Sequence, residues 1–345
     1  MDEIKTLIFR TDRIGDFLIS CPFILSYKKK FYDNKIEIVS SEYNSNYIGN
    51  FNFINNIIPL KTEVKFFPKL IILVKIIIFL RKTKYNNIIV LDGKKRSFFI
   101  SLFLNGNKSI LLQNKKLWVL SKIFNYKSVI NYEIQNQLKN FSYLASLLNF
   151  NIDQKKIDIY QNYLLKKKYN FEKKYIIIHL DEKWFSKYYY RDFTDINPNS
   201  KQIDIFINKI LKITKTNFNL VFTNGAKKND ELEDFYSTFT SNDKIIFNKK
   251  INDNLITYLP NLSFRDLESL VKDSSFLICC EGGISHVSHN FNISTIAFFE
   301  EKRIQHMKFW TSHMDKLQLF PRKKMDDLLN DNNFFKLLES KLKHV

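Results

Sequence analysis

Apolar side chains along this chain gather in runs of strand length, separated by longer segments of helical period. In the first half the runs fall at residues 6–9, 36–39, 57–60, 88–91 and 109–112. Helix-length segments lie between several of them at 17–31, 69–83 and 98–103, and a longer helical pattern at 134–148 closes the half. The second half restarts with a run at 175–180. It continues with a helix near 201–214, a strand at 218–223, a helix near 230–239, a strand at 244–247, a helix at 263–272, and strands at 276–280 and 295–299. Ser263 and Asp266 have the spacing of a capping box at the start of the last of these helices. Strands that alternate with helices form a parallel sheet covered on both faces. The series occurs twice, which predicts an α/β protein of two similar domains. The polar, lysine-rich stretch 153–174 is the expected linker, and 326–342 reads as a terminal amphipathic helix. No repeat with a period of about 20–50 residues is visible.

In open parallel sheets ligands bind beyond the carboxyl ends of the strands, and polar and glycine residues cluster there in this sequence. The first strand is followed by Arg10-Thr11-Asp12-Arg13-Ile14-Gly15-Asp16, the strand at 88–91 by Asp92-Gly93-Lys94-Lys95-Arg96-Ser97, and the strand at 175–180 by Asp181-Glu182-Lys183-Trp184. Asn224-Gly225 follows the strand at 218–223, and Glu281-Gly282-Gly283 follows that at 276–280. The last of these is the most informative. A buried strand ends in a glycine turn, and a helix carrying Ser285 and His286 begins. The free N–H groups and dipole of a helix start suit a diphosphate, and a carboxylate beside it can hold sugar hydroxyls. An ordinary strand–turn–helix corner is the alternative.

Composition and charge narrow the partners. With 345 residues, 45% of them hydrophobic, the chain can build two cores. Only 7 glycines occur, so each one retained at a turn carries more weight. Cys21, Cys279 and Cys280 sit in apolar runs and read as buried thiols, not as a disulfide framework or a zinc site. His286 and His289 are spaced i, i+3, which alone is a poor metal signal. The net charge of +19 is uneven: residues 1–170 hold 28 basic against 12 acidic side chains, net +16, and residues 171–345 hold 26 against 23, net +3. A basic half beside a near-neutral one points to an anionic partner for the first, with a merely solubilising surface as the alternative. Aromatic residues do not cluster with the basic runs in any known nucleic-acid reader motif, so nucleic acid is not an expected partner.

Met1-Asp2-Glu3 opens on acid, and no secretory leader is expected. The longest apolar run, 70–80, is interrupted by Lys75 and would span only about 16 Å as a helix, against the ~30 Å of a bilayer core. It reads either as a core helix or as one lying in a membrane interface, flanked by Lys65, Lys69, Arg81, Lys82 and Lys84.

Four of these segments carry a resemblance. The opening TLIFRTDRIGDFLISCPFILSYKKKF resembles the first βα unit of bacterial glycosyltransferase family 9, the lipopolysaccharide heptosyltransferase family, with its Gly-Asp turn at Gly15 and Asp16 and its helix proline at Pro22. YNNIIVLDGKKRS is similar to the family's next glycine turn, HLDEKWF to its Lys–Trp segment, and LESLVKDSSFLICCEGGISHVSHNFNISTIAFF to its acid–small–Gly–His motif. The four occur in the family's order across most of the chain. Two departures stand out: Glu281 where the family usually has Asp, and Gly282 where it usually has Thr or Ser.

The resemblance implies a GT-B fold, two Rossmann-like domains facing a central cleft. Residues 1–160 would form the acceptor domain and 173–325 the nucleotide-sugar domain, with 326–345 packing back toward the first. It implies an inverting, metal-independent transfer of a sugar, typically heptose from its ADP form, onto a lipopolysaccharide-core or related anionic glycan at the inner face of the inner membrane. No cofactor is implied, and no Asp-x-Asp that could hold a divalent ion on a diphosphate is present. Asp16 takes the family position of the base, its alternative reading being a helix-start acid satisfying amides. Lys183 takes the position of the phosphate-neutralising lysine, its alternative being a surface lysine. The implied donor site is Glu281, Gly282, Gly283, Ser285, His286 and Gly225, and the implied acceptor side is Arg10, Arg13, Gly15, Asp92, Gly93 and Arg96.

Overall fold

The computed structural model describes residues 4–61, 66–112, 115–130, 136–152, 169, 171–185, 194–215, 217–225, 232–240, 246–251 and 254–343, with backbone alone at 66–70, 115 and 130. The chain divides into two compact units, Met1–Leu164 with Lys308–His313, and Leu165–Met307 with Met314–Val345. Most of the expected linker, and Lys65, lie outside the described residues.

The first unit holds six strands, β1 (Lys5–Arg10), β2 (Lys35–Ser41), β3 (Asn56–Leu60), β4 (Asn87–Val90), β5 (Asn107–Leu112) and β6 (Lys127–Ile130). They are all parallel, in the order β3-β2-β1-β4-β5-β6, which is the doubly wound dinucleotide-binding order. Its helices are α1 (Ile14–Lys30), α2 (Glu42–Ile48), α3 (Phe66–Arg81), α4 (Lys95–Leu102), α5 (Lys115–Ile123) and α6 (Gln137–Leu147). Steps from β1 to β3 run one way across the sheet and steps from β3 to β6 run the other. Right-handed crossovers therefore put α1 and α2 on one face and α3, α4 and α5 on the opposite face. The core agrees: Ile72, Leu73, Ile76 and Ile77 of α3, Phe98 of α4 and Leu117 of α5 share one apolar cluster with strand residues such as Phe9, Val90 and Ile110.

The second unit holds β7 (Tyr175–Leu180), β8 (Asn219–Asn224), β9 (Phe247–Ile251), β10 (Asn254–Leu259), β11 (Phe276–Cys280), β12 (Ser294–Phe299) and β13 (Leu317–Pro321), ordered β13-β12-β11-β7-β8-β10-β9. With β9 set aside, this repeats the order of the first sheet. The helices are α7 (Ser200–Thr214), α8 (Glu233–Ser237), α9 (Phe264–Asp273), α10 (Gly283–Asn290), α11 (Ile304–Thr311), α12 (Met325–Leu329) and α13 (Asn332–Leu342). Ser263 caps α9 as its spacing predicts, its hydroxyl accepting the Asp266 N–H at 3.1 Å.

Two expectations are corrected. The strand expected at 244–247 is β9, at 247–251, and it pairs antiparallel with β10, which the sequence reading missed. An edge strand buries one face at most, so FNKKI carries lysines that hide it from a run-based search. The terminal helix breaks into α12 and α13, and Asp331 Oδ1 caps α13 by accepting N–H groups of Asn333 and Phe334. Phe334, Leu338 and Leu342 join the second unit's core. The Phe334 ring meets those of Phe206, Phe298 and Phe320 at centroid distances of 5.9, 5.6 and 5.2 Å. Lys308–His313 is grouped with the first unit. Phe334→Ala should therefore loosen the second unit, at a cost of about 3–5 kcal/mol for a buried phenylalanine, measured as a lower urea midpoint with no change in secondary structure under native conditions.

Candidate functional site

A doubly wound sheet has one place where neighbouring strands send their chains to opposite faces, and ligands bind in the crevice beyond it. In the first unit that place lies between β1 and β4, and in the second between β7 and β11. The sequence-predicted residues collect at these two points.

In the first unit Asp92, just past β4, binds the loop after β1. Its Oδ2 accepts the Thr11 hydroxyl at 2.6 Å, the Ser97 hydroxyl at 2.6 Å and the Thr11 N–H at 3.3 Å. Its Oδ1 accepts the Lys94 N–H at 3.1 Å. Gly93, at φ +60°, makes the turn that brings this amide back, a conformation that favours glycine. Arg96 donates to the Thr11 hydroxyl at 2.9 Å, and Lys94 Nζ to the Thr11 carbonyl at 3.3 Å. Arg10 is buried and donates to the carbonyls of Leu91 and Asp16, so it orders two loops while lining the cavity between them. Gly15 is buried in the first turn of α1, and Arg13 at its start is exposed.

Asp16 has both characters read from the sequence. Its Oδ2 accepts the Arg13 N–H at 3.1 Å, as a helix-start acid does, and the same side chain lines a cavity of about 270 Å³. Asp12, Asp92, Lys94, Gln137 and Trp310 share that cavity. Asp12 and Gln137 were not singled out by the sequence. Asp12 Oδ2 lies 3.5 Å from Arg10 Nη1, while its Oδ1 and the Gln137 Oε1 are buried without a hydrogen-bond partner among the described residues. The signal for Asp12 was its place in the same Gly-Asp turn. Gln137 opens α6 after a segment of no regular pattern and gave none.

In the second unit Lys183 follows β7 on a short 3-10 turn, Glu182–Trp184. Its ammonium donates to the Glu281 carbonyl and lies 3.8 Å from Glu281 Oε2. A Cβ at Gly282 would fall on that ammonium, so the glycine leaves the lysine room against the turn. Gly225 likewise leaves room for Glu182, whose Oε2 would be 2.5 Å from an added Cβ. Ser285 is turned inward: its hydroxyl donates to the Gly282 carbonyl at 2.7 Å and accepts the Gly282 N–H at 3.2 Å. It therefore braces the turn that opens α10. His286 is partly exposed one turn into that helix, after Gly283 at its first position. The β7 loop is held from beneath by Arg322, buried just past β13, which donates to the carbonyls of Lys183 and, at 2.8 Å, Thr194. Arg322 escaped the sequence reading because β13 did. His179 is structural: burial lowers its pKa to about 3, and its Nδ1 pairs with the Thr223 hydroxyl at 2.8 Å. Among the described residues, no group of three or more His, Cys, Asp or Glu could hold a metal ion.

This double architecture is that of the GT-B fold. No protein-family model and no curated protein sequence matches the chain. Solved structures do. The chain is similar to the E. coli heptosyltransferase WaaC with ADP (TM-score 0.71, 14% identity, 98% of this chain and 100% of that one). It is similar to a family 9 glycosyl transferase of Veillonella parvula (TM-score 0.67, 11% identity, 100% and 99%). It is also similar to E. coli ADP-heptose LPS heptosyltransferase II (TM-score 0.60, 11% identity, 98% and 100%). At such identities the likeness is one of fold.

Burial raises the pKa of Asp12 from 3.8 to about 7; Arg10 and Lys94 oppose the shift, and Asp16 and Asp92 add to it. The folded protein then keeps a proton that the unfolded chain releases, so stability falls as pH rises from about 4 to about 7. Asp12→Asn should leave the urea midpoint unchanged near pH 4 and raise it near pH 8. An equal effect at both pH values would contradict the assignment.

Proposed function

We propose that the protein is a glycosyltransferase, which moves a sugar from a nucleotide donor bound by the second unit to a hydroxyl acceptor bound by the first. The observation that carries this reading is the Lys183 ammonium held against the Glu281–Gly282 turn at the start of α10, at the switch point of the second sheet. A cation beside a helix N-terminus is the arrangement a leaving diphosphate needs. The WaaC structures hold ADP and ADP-2-deoxy-2-fluoro heptose, which supports a nucleoside diphosphate at this turn and heptose from ADP-heptose as the first donor to assay. Asp16, which faces the cavity of the first unit, is the base that takes the acceptor proton. A single displacement with inversion follows, and Lys183 with the turn amides neutralises the leaving group without a metal. The acceptor is an anionic, lipid-linked glycan of the lipopolysaccharide-core class, which suits the basic first half.

Glu281 and Gly282 favour a second reading within the same chemistry. The longer carboxylate and the absent side chain alter the walls that would meet the donor sugar, so a nucleotide sugar other than ADP-heptose is the alternative substrate.

A panel of nucleotide sugars, screened by thermal shift and then by release of nucleoside diphosphate with an acceptor present, tests both readings. Binding of donors with no release under any acceptor would mark an inactive binding protein. Asp16→Asn should leave donor binding nearly intact and lower turnover by at least ~100-fold. Lys183→Ala should weaken ADP binding by calorimetry about ten-fold, the scale of a lost charge-assisted contact, and lower turnover as well. Unchanged ADP affinity in that variant would move the phosphate site elsewhere.

A further inference from the structure

The outer faces of α3, α4 and α5 carry apolar side chains where a soluble α/β unit carries polar ones. On α3 the inner face meets the core through Ile72, Leu73, Ile76 and Ile77. Yet Ile71, Val74, Ile78 and Phe79, one helical stripe on the other side, are each at least 50% exposed. On α4, Phe99 and Phe103 stand one turn apart and are 49% and 57% exposed. On α5 and just beyond it, Ile123 and Phe124 are 67% and 51% exposed, with Val119 and Leu120 one turn earlier. These three helices cover the same face of the sheet, so their outer stripes lie on one side of the unit. Ten of the sixteen large exposed apolar residues described in the whole chain are gathered there. Isolated exposed apolar residues need no explanation, but a concentration of this kind marks a contact surface.

The charges among them have one sign. No Asp or Glu occurs within α3, α4 or α5, whereas Lys75, Arg81, Lys95, Lys116 and Lys122 are exposed on them, with Lys82 and Lys84 just after α3. Arg81, Lys82 and Lys95 belong to this layer, while Lys94 and Arg96 turn to the candidate site. Lys65 and the Lys69 side chain lie outside the described residues.

We infer that the α3–α4–α5 layer docks on an anionic lipid bilayer, with its apolar stripes in the interface and its lysines on the headgroups. An apolar face rimmed only by cations fits a surface that is apolar inside and anionic outside. A protein partner of ordinary composition offers no such match. Among the described residues no helix is long and apolar enough to cross a membrane. α3, at about 24 Å, lies on the bilayer. α4 links this layer to the candidate site: Arg96 at its start bonds the β1 loop, and Phe99 one turn later is in the layer. A lipid-linked acceptor would then reach the cavity of the first unit from the surface that anchors the enzyme. That purpose rests on the proposed function. The docking does not, and it is tested without donor or acceptor.

The full chain is floated with phosphatidylcholine vesicles and with vesicles that also contain phosphatidylglycerol, at low and high salt. The wild type should prefer the anionic vesicles and keep part of its binding in high salt, because inserted apolar groups are not screened. Joint replacement Ile78→Ser, Phe79→Ser and Phe103→Ser should weaken binding at least ten-fold at both salt levels. Lys75→Glu with Lys122→Glu should weaken it at low salt only. A Phe99→Trp variant should gain fluorescence that lipids with brominated acyl chains quench. Wild-type binding by the serine variant, or an unquenched indole on bound protein, overturns the inference. So does a wild type that self-associates without binding vesicles and becomes monomeric on serine substitution, which would assign the face to a second copy.

Discussion

The structure of each unit turns on a single topological constraint. Where two adjacent parallel strands send their chains to opposite faces of a sheet, the loops part, and the backbone groups of both must find partners across the gap. In the first unit one carboxylate does this. Asp92 takes two hydroxyls and two amides from both sides of the opening. Arg10, buried beneath, ties the carbonyls of Leu91 and Asp16 together. In the second unit cations have the same task, Lys183 on the Glu281 carbonyl and Arg322 on the Lys183 carbonyl. The candidate catalytic groups stand on loops fixed in this way. Asp16 and Lys183 are therefore held by the same bonds that close the sheets.

The charges of the first unit separate accordingly. The cavity beside Asp16 is lined by three carboxylates, Asp12, Asp16 and Asp92, against two cations, Arg10 and Lys94. Its lining is not basic, and burial, aided by Asp16 and Asp92, raises the pKa of Asp12 to about 7. The net charge of +16 in residues 1–170 thus resides outside the cavity, and the α3–α5 layer holds a substantial share of it. A pocket rich in acceptor oxygens suits the hydroxyls of a sugar. A cationic face suits an anionic surface. The two needs are met by different residues on the same three-layered unit.

What was legible in the sequence follows from the same physics. Strands buried on both faces read as continuous apolar runs, and β7 and β11 appear with their observed limits. Segments buried on one face only, or short, did not: α2, α5, β6 and β13 left weak patterns, and β9 displays lysines on an edge. The glycine turns were legible because glycine is scarce here, so Gly93, Gly225 and Gly282 stood out, and each proves to make a turn or a close approach. The partners of those turns were not legible. Arg322, 139 residues from Lys183 in sequence, and Gln137, at the start of a helix with no preceding strand signal, reach their sites only through the tertiary fold. The resemblance placed Asp16 and Lys183, while Asp12 emerged only when its burial and its unpartnered oxygen were visible.

The two departures from the family pattern make physical sense together. A Thr or Ser at position 282 would place its Cβ on the Lys183 ammonium, and the lysine would have to swing away. With glycine there, Lys183 folds down onto the turn, where it meets both the carbonyl and the carboxylate of Glu281. The extra methylene of Glu lets that carboxylate reach the ammonium beside the turn. The pair is only partly exposed, which makes the contact stronger than a surface ion pair and makes an unpaired Lys183 costly. On the proposed function, an arriving diphosphate would compete with Glu281 for the lysine. Thr at position 282 would crowd the ammonium, whereas Asp at position 281 would leave it on the backbone carbonyl of that residue.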